Sequence, residues 1–405
     1  MEVGFPCRLH KEKATGYEGE YTAGGRGGIH FGSQVSKSGL RGPGSKGDNK
    51  RVKTLRLVVD PAHLDTAHAQ EALERGAQIL RSGGLVALPT ETVYGLGANA
   101  LDADAVARIF EAKQRPAWDP VIVHISDLAM LDGLVEEVPG RVRRLMGAFW
   151  PGPLTLLLPR TKAVPDAVTA GRALVGVRMP AHPVALELIR RAGVPVAAPS
   201  ANIFGRISPT TAAHVLEDLD GRIDAVLDAG PTLHGVESTV LDASRTPMVI
   251  YRPGAVTAAQ IAAIGGAVEI FRRDGELEET PREAMPSPGV GLRHYAPRAR
   301  LVLVEAPPTE MAWRLDEAVR SWPGERVGLM LPAEIPWTSP GPIVCVWGRW
   351  SDPAALAREL YAGLRALDAE GCGVIVCPLP PAEGIGAAIR DRLGKAGTRD
   401  WRSNS

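Results

Sequence analysis

Between residues 54 and 267, short apolar runs alternate with amphipathic stretches, a pattern that predicts strands and helices in turn. "GLVALP" (84–89), "VIVHI" (121–125), "RALVGVRMP" (172–180) and "VPVAAPSAN" (194–202) are continuous apolar runs stopped by proline or polar residues, as buried strands are. "LDADAVARIFEAK" (101–113) sets Val106, Ile109, Phe110 and Lys113 at helical spacing, with Asp102 or Asp104 as the cap. "HPVALELIRRAG" (182–193) is a helix closed by Gly193, and "SPTTAAHVLEDLDG" (208–221) is one entered through Ser/Thr and ended at Gly221. "DAVLDAG", "STVLDAS" and "MVIYRPG" follow as strands. The last two are joined by "RTP" and predict an antiparallel hairpin, so the sheet is mixed.

A charged, Pro-rich stretch at 272–299 carries no apolar period and is expected to be a linker. From Arg300 a second rhythm begins. "LVLVEA", "RVGLML", "PIVCVWG" and "GVIVCPLP" read as strands. "EMAWRLDEAVRSW", "DPAALARELYAGLRALDAEG" and "GIGAAIRDRLGKAG" read as helices. This spacing predicts a small parallel, doubly wound sheet. Residues 1–54 are rich in Gly, Ser and basic side chains with little to bury, and are expected to be a disordered tail. The fold class is therefore α/β: a domain with a twisted mixed sheet at 55–271, the linker at 272–299, and a smaller Rossmann-like domain at 300–405.

Composition narrows the function. Lys+Arg and Asp+Glu both number 46, so net charge gives no reason to expect a nucleic acid or a membrane surface. No apolar run is long enough to span a bilayer, and the N-terminus lacks the apolar core of a secretory signal, so a cytoplasmic protein is expected. Cys372 and Cys377 form C-x4-C rather than the C-x2-C of zinc or redox sites, so the cysteines are expected to be reduced and buried. "GGRGG" in the tail is a single RGG-like repeat, outweighed by a passive extension.

Four segments set polar residues just past apolar strands, where α/β proteins commonly hold ligands. They are "PTETVYGLG" with Thr90 and Thr92, "KQRPAWDPVIVH" with Lys113, Arg115 and His124, "APSANIFGRIS" with Ser200, Asn202 and Ser208, and "HGVEST" with "YRPG", which bring Ser238 and Arg252. Arg178, inside a strand, requires an anionic partner. Cations and hydroxyls without an obvious nucleophile, metal cluster or phosphate-loop motif suit an anionic polyoxygen ligand such as a nucleotide. Each residue has a plainer reading too. Gly95 and Gly97 are turn residues or a phosphate cradle. Lys113 and Arg115 complement a helix dipole or meet a ligand. His124 belongs to the core or to the site, and Ser200 and Asn202 cap a turn or touch substrate.

In chain order, "PTETVYGLG", "KQRP", "VRMP", "PSAN", "EST" and "RPG" resemble the YrdC-like domain of the threonylcarbamoyl-AMP synthase family, whose K-x-R and S-x-N signature falls on Lys113, Arg115, Ser200 and Asn202. "SPG…RHYAP" and the following α/β domain resemble the long, two-domain form. The resemblance implies formation of L-threonylcarbamoyladenylate and pyrophosphate from L-threonine, bicarbonate and ATP, with Mg²⁺ assisting. It also implies a separate transferase that passes the product to tRNA next to the anticodon. Thr92, His124, Arg178, Ala198 (through its backbone) and Ser238 match threonine-holding positions. Arg115, Asp119, Ser200, Ser208 and Arg252 match ATP-binding ones, and Lys113 would face phosphate or bicarbonate. Glu91 and Tyr94 are either secondary support of the site or plain structure, with plain structure favoured. Departures from the family pattern are Asp119 in place of the common Asn, and Gly291 and Leu292 in the linker, where His294 and Tyr295 are kept. Two other readings are carbamoyl transfer to another acceptor, weakened by the lack of a Cys-rich module, and a double-stranded RNA-binding module.

Overall fold

The apolar run at "LVALP" is continuous because both faces of its strand are covered: Leu85 and Ala87 join one buried cluster, Val86 and Leu88 another. The structure is a computed structural model that describes residues 8–10, 53–271 and 294–398. In chain order the strands are β1 (Arg8–His10), β2 (Leu55–Val58), β3 (Val86–Leu88), β4 (Gly95–Asn99), β5 (Ile122–His124), β6 (Leu154–Pro159), β7 (Leu174–Arg178) and β8 (Val196–Ala197). They continue with β9 (Ala225–Asp228), β10 (Thr239–Asp242), β11 (Met248–Arg252) and β12 (Val268–Ile270), then β13 (Arg300–Val304), β14 (Val327–Leu331), β15 (Ile343–Val346) and β16 (Val374–Pro378). Eleven of them form one mixed sheet in the order β12-β11-β10-β6-β7-β5-β8-β4-β3-β9-β2. The predicted hairpin is there, with β10 antiparallel to β11.

The helices follow their caps. Asp102 accepts from Asp104 N and Ala105 N to open helix Ala103–Lys113, and Gly193 at positive φ closes Pro183–Ala192. "GLGAN" departs from the expectation of a turn: it is strand β4. A Cβ on Gly97 would stand 2.8 Å from Leu88 Cδ2 and 2.9 Å from Val196 Cγ1, so the glycine lets neighbouring strands close over it.

The smaller sheet has the order β1-β15-β14-β16-β13, with β13 to β16 parallel as predicted. Its edge strand was not foreseen. Arg8–His10, inside the expected tail, pairs antiparallel with β15, while the remainder of 1–52 lies outside the described residues. Cys372 and Cys377 are free and buried as expected, but Cys345 is disulfide-bonded, against the expectation that the cysteines stay reduced. Among the described residues no helix is long and apolar enough to cross a membrane.

The two parts share one apolar core. Val93, Ile207 and Val236 of the first cluster with Tyr295, Leu356, Leu360 and Tyr361, and with the inner faces of β13 and β16.

Candidate active site

Four chain segments far apart in sequence meet at one cavity. Thr92, Arg115, His124, Arg178, Ala198, Ser200, Ser238 and Arg252 all line it, together with Thr90, Glu237, His294 and Tyr295. The segment after β3 gives the threonines: Thr90 Oγ1 donates to Val93 O (2.6 Å) and lies 2.8 Å from Thr92 Oγ1. That local bond shapes the turn and aims Thr92 at Arg178, whose Nη1 donates to Thr92 Oγ1 at 3.0 Å.

The anion that Arg178 requires is present within the chain. Its Nη2 sits 2.5 Å from Glu91 Oε1, with both side chains buried. Burial works to raise the Glu91 carboxyl, but Arg178 overcomes it and holds the group below its usual range. Glu91 is thus more than the plain support expected of it. The argument that demanded a partner for a strand arginine applies equally to a buried glutamate. Next to Arg178 in register on β5 and β7 stands His124. Burial first, and Arg178 second, push its ring down to about 3, so it is a neutral imidazole.

Arg115 is another cation of the lining. Its Nη2 pairs with Asp119 Oδ2 (2.9 Å) and donates to Pro120 O (2.6 Å), while Nε donates to Asp119 O (3.1 Å). Asp119 therefore acts as the counter-ion of Arg115. Burial opposes its charge, yet Arg115 and His294 keep its carboxyl below the usual range. His294 Nε2 is 3.7 Å from Asp119 Oδ2, and its ring meets Phe204 edge-on at 4.8 Å. The linker's end thereby forms part of the wall. Gly291 and Leu292 lie outside the described residues.

Lys113 does not face the cavity as expected. It is fully buried, and its ammonium donates to the carbonyls of Ser200 and Asn202. Burial, reinforced by Arg115, lowers its affinity for a proton. It sits at the C-terminal end of its helix and bridges the carbonyls of Ser200 and Asn202, so it pins the "PSAN" loop and thereby Ser200. Asn202 does related work: its Nδ2 donates to Ile203 O (2.8 Å) and Arg206 O (2.9 Å). Ser208 also stands back, donating to Glu237 Oε1 at 2.5 Å. Arg252 reaches the cavity from β11 and is held by Ser238 through the carbonyl and Oγ, both at 3.1 Å. Tyr94 is structural as expected, its hydroxyl donating to Gly230 O at 2.7 Å.

The result is a pocket with three guanidinium groups, five hydroxyls, two imidazoles and one carboxylate. Such a set can hold a carboxylate and phosphoryl oxygens bidentately with little bulk water present.

Comparison with known proteins gives the family of the chain. Residues 78–254 match the family model described as "Telomere recombination", and 256–398 match the one described as "Threonylcarbamoyl-AMP synthase, C-terminal domain". The chain is 43% identical over 347 residues to the threonylcarbamoyl-AMP synthase of Bacillus subtilis, spanning 85% of this chain and 98% of that one. It is 42% identical over 323 residues to that of Pyrococcus abyssi, 79% of this chain and 92% of the other. The crystal structure of P. abyssi Sua5 complexed with L-threonine superposes with a TM-score of 0.78 at 40% identity, covering 85% of this chain and 97% of that one.

Proposed function

This chain belongs to the threonylcarbamoyl-AMP synthase family, and from that premise we propose that it joins L-threonine, bicarbonate and ATP into L-threonylcarbamoyladenylate, releasing pyrophosphate. The observation that carries this reading is the convergence of Arg115, Arg178, Arg252, Ser200 and Ser238 on one buried cavity. A relative with the same two-part fold has been solved with L-threonine.

Threonine's carboxylate pairs with Arg178, which then divides its donors between Glu91 and the substrate. Thr92, Ser238 and the neutral His124 offer lone pairs to the amine and hydroxyl. The free amine adds to CO₂ derived from bicarbonate and loses a proton to give a carbamate. A carbamate oxygen attacks the α-phosphorus in line as the bond to the bridging oxygen breaks, and pyrophosphate leaves with that electron pair. Arg115, Arg252 and Ser200 stabilise the charge that builds on the phosphoryl oxygens. Lys113 and Asn202 fix the loop that presents Ser200. Mg²⁺ carried with the nucleotide would supply neutralisation of phosphate charge. His294 and Tyr295 close the cavity and exclude water from the labile adenylate. The product passes, in the cytoplasm, to a separate transferase that acts on tRNA beside the anticodon.

The deciding measurement is pyrophosphate release with mass spectrometry of the product. Release should depend on both threonine and bicarbonate, and the product mass should equal that of threonylcarbamoyl-AMP. Equal release without threonine would refute the reading.

A further inference from the structure

The cavity has an acid in its wall where a polyanion is to bind. Glu237 is 6% exposed, lines the cavity and lies one residue before Ser238. A bare carboxylate there would repel a triphosphate, strongly so in a site depleted of water. It would also draw on Arg252, which senses it electrostatically and is needed for the ligand.

The second domain answers that charge. Arg392, on helix Gly386–Ala396, is 1% exposed, and its Nε donates to Glu237 Oε2 at 2.7 Å. The Tyr361 hydroxyl, from helix Pro353–Ala369, donates to the same carboxylate at 3.0 Å. Ser208 Oγ takes the remaining direction at 2.5 Å. The Arg392 guanidinium stands 5.3 Å over the ring of Tyr295, which stacks on Tyr361 at 5.9 Å. The backbone is fitted equally closely: a Cβ on Gly235 would come within 2.4 Å of Ala357 O and Arg358 Cα. The loop that carries Glu237 and Ser238 is therefore seated on the second domain.

We propose that Arg392 is a positioning residue for the nucleotide: from the second domain it neutralises Glu237, so that Arg252 stays directed at the triphosphate. This rests on the reaction assigned above and adds a residue from outside the domain that holds the cavity. Arg392 touches no substrate and acts only through Glu237.

The test is ATP affinity by calorimetry on the full chain, with the KM for threonine measured alongside. Arg392→Met should weaken ATP binding by about tenfold or more, since it strands a buried charge beside an anionic ligand, and change the threonine KM less than threefold. Adding Glu237→Gln to Arg392→Met should bring ATP affinity back to within roughly threefold of wild type, because a neutral amide needs no counter-ion. Arg392→Lys should also stay within roughly threefold, since it keeps the charge. Unchanged ATP binding in a folded Arg392→Met protein overturns the proposal, as does a double variant no better than the single one. If Arg392→Met does not fold, the double variant and Arg392→Lys carry the test, and a tenfold loss in either overturns it. The affinity readout needs no turnover, so a wild type that binds ATP but releases no threonine-dependent pyrophosphate would sink the assigned reaction while Arg392 is still judged on binding.

Discussion

The neutral ring of His124 gives the site a measurable pH signature. Burial beside Arg178 holds it down at about 3, against an ordinary value of 6.5. The folded state therefore takes up this proton far less readily than the unfolded chain. Its contribution to stability is complete above pH 6.5 and falls as pH drops from 6.5 toward 3, by roughly 1.4 kcal/mol per pH unit at most. Comparing wild type with His124→Asn in urea at several pH values isolates this group. The wild type's stability relative to the variant should shrink over that window and be constant from pH 7 to 8. A difference that stays level down to pH 4 would show that the ring is not held neutral. At this scale the sequence disclosed the cations and hydroxyls, because charge in a strand and hydroxyls past a strand end are local signals. The two carboxylates were less legible. Glu91 could have been found by asking who neutralises Arg178. Glu237 could not, since its counter-ion Arg392 lies 155 positions away. Lys113 was placed in the right motif but given the wrong direction, because spacing does not say that loop carbonyls stand within its reach.

Elements with a strong period were readable, and those governed by packing were not. "LDADAVARIFEAK" and "DPAALARELYAGLRALDAEG" carry both period and cap, and their helices start after Asp102 and Asp102's counterpart Asp352. β1 has only three residues and is set by its pairing with β15, which no local pattern announces. β4 was hidden by its glycines, since small residues in a strand look like a turn unless the neighbours are known. That strand supports a direct test. Gly97→Ala places a methyl against Leu88 and Val196 in an already filled space, and should cost about 1–3 kcal/mol in urea denaturation. The shift should register in the strand next to the Thr90–Thr92 turn, so threonine affinity is expected to fall with stability. A variant as stable as wild type would mean that β4 and its neighbours yield easily.

At the scale of the molecule, two domains in one chain ordinarily meet through small polar surfaces and move against each other. This pair does not fit that description. Val93, Ile207 and Val236 from the first domain enter the same apolar cluster as Leu356, Leu360 and Tyr361 from the second. Around it, Arg365 binds Glu217 and Asp218 across the boundary, both at 2.9 Å, and Arg392 binds Glu237. Separating the domains would expose the shared apolar cluster to water and break the Arg392–Glu237 pair. Neither half has a reason to unfold while the other survives. Calorimetry should therefore give one transition, with the van't Hoff enthalpy close to the calorimetric one. Leu360→Ala, at a fully buried position of the shared cluster, should lower stability by about 2–5 kcal/mol and move that single transition as a whole. It should also weaken threonine-dependent turnover, because helix Pro353–Ala369 seats the loop that carries Glu237 and Ser238. Two separated transitions in the wild type, or a Leu360→Ala effect confined to the later one, would mean the second domain is a passenger on the site rather than part of its wall.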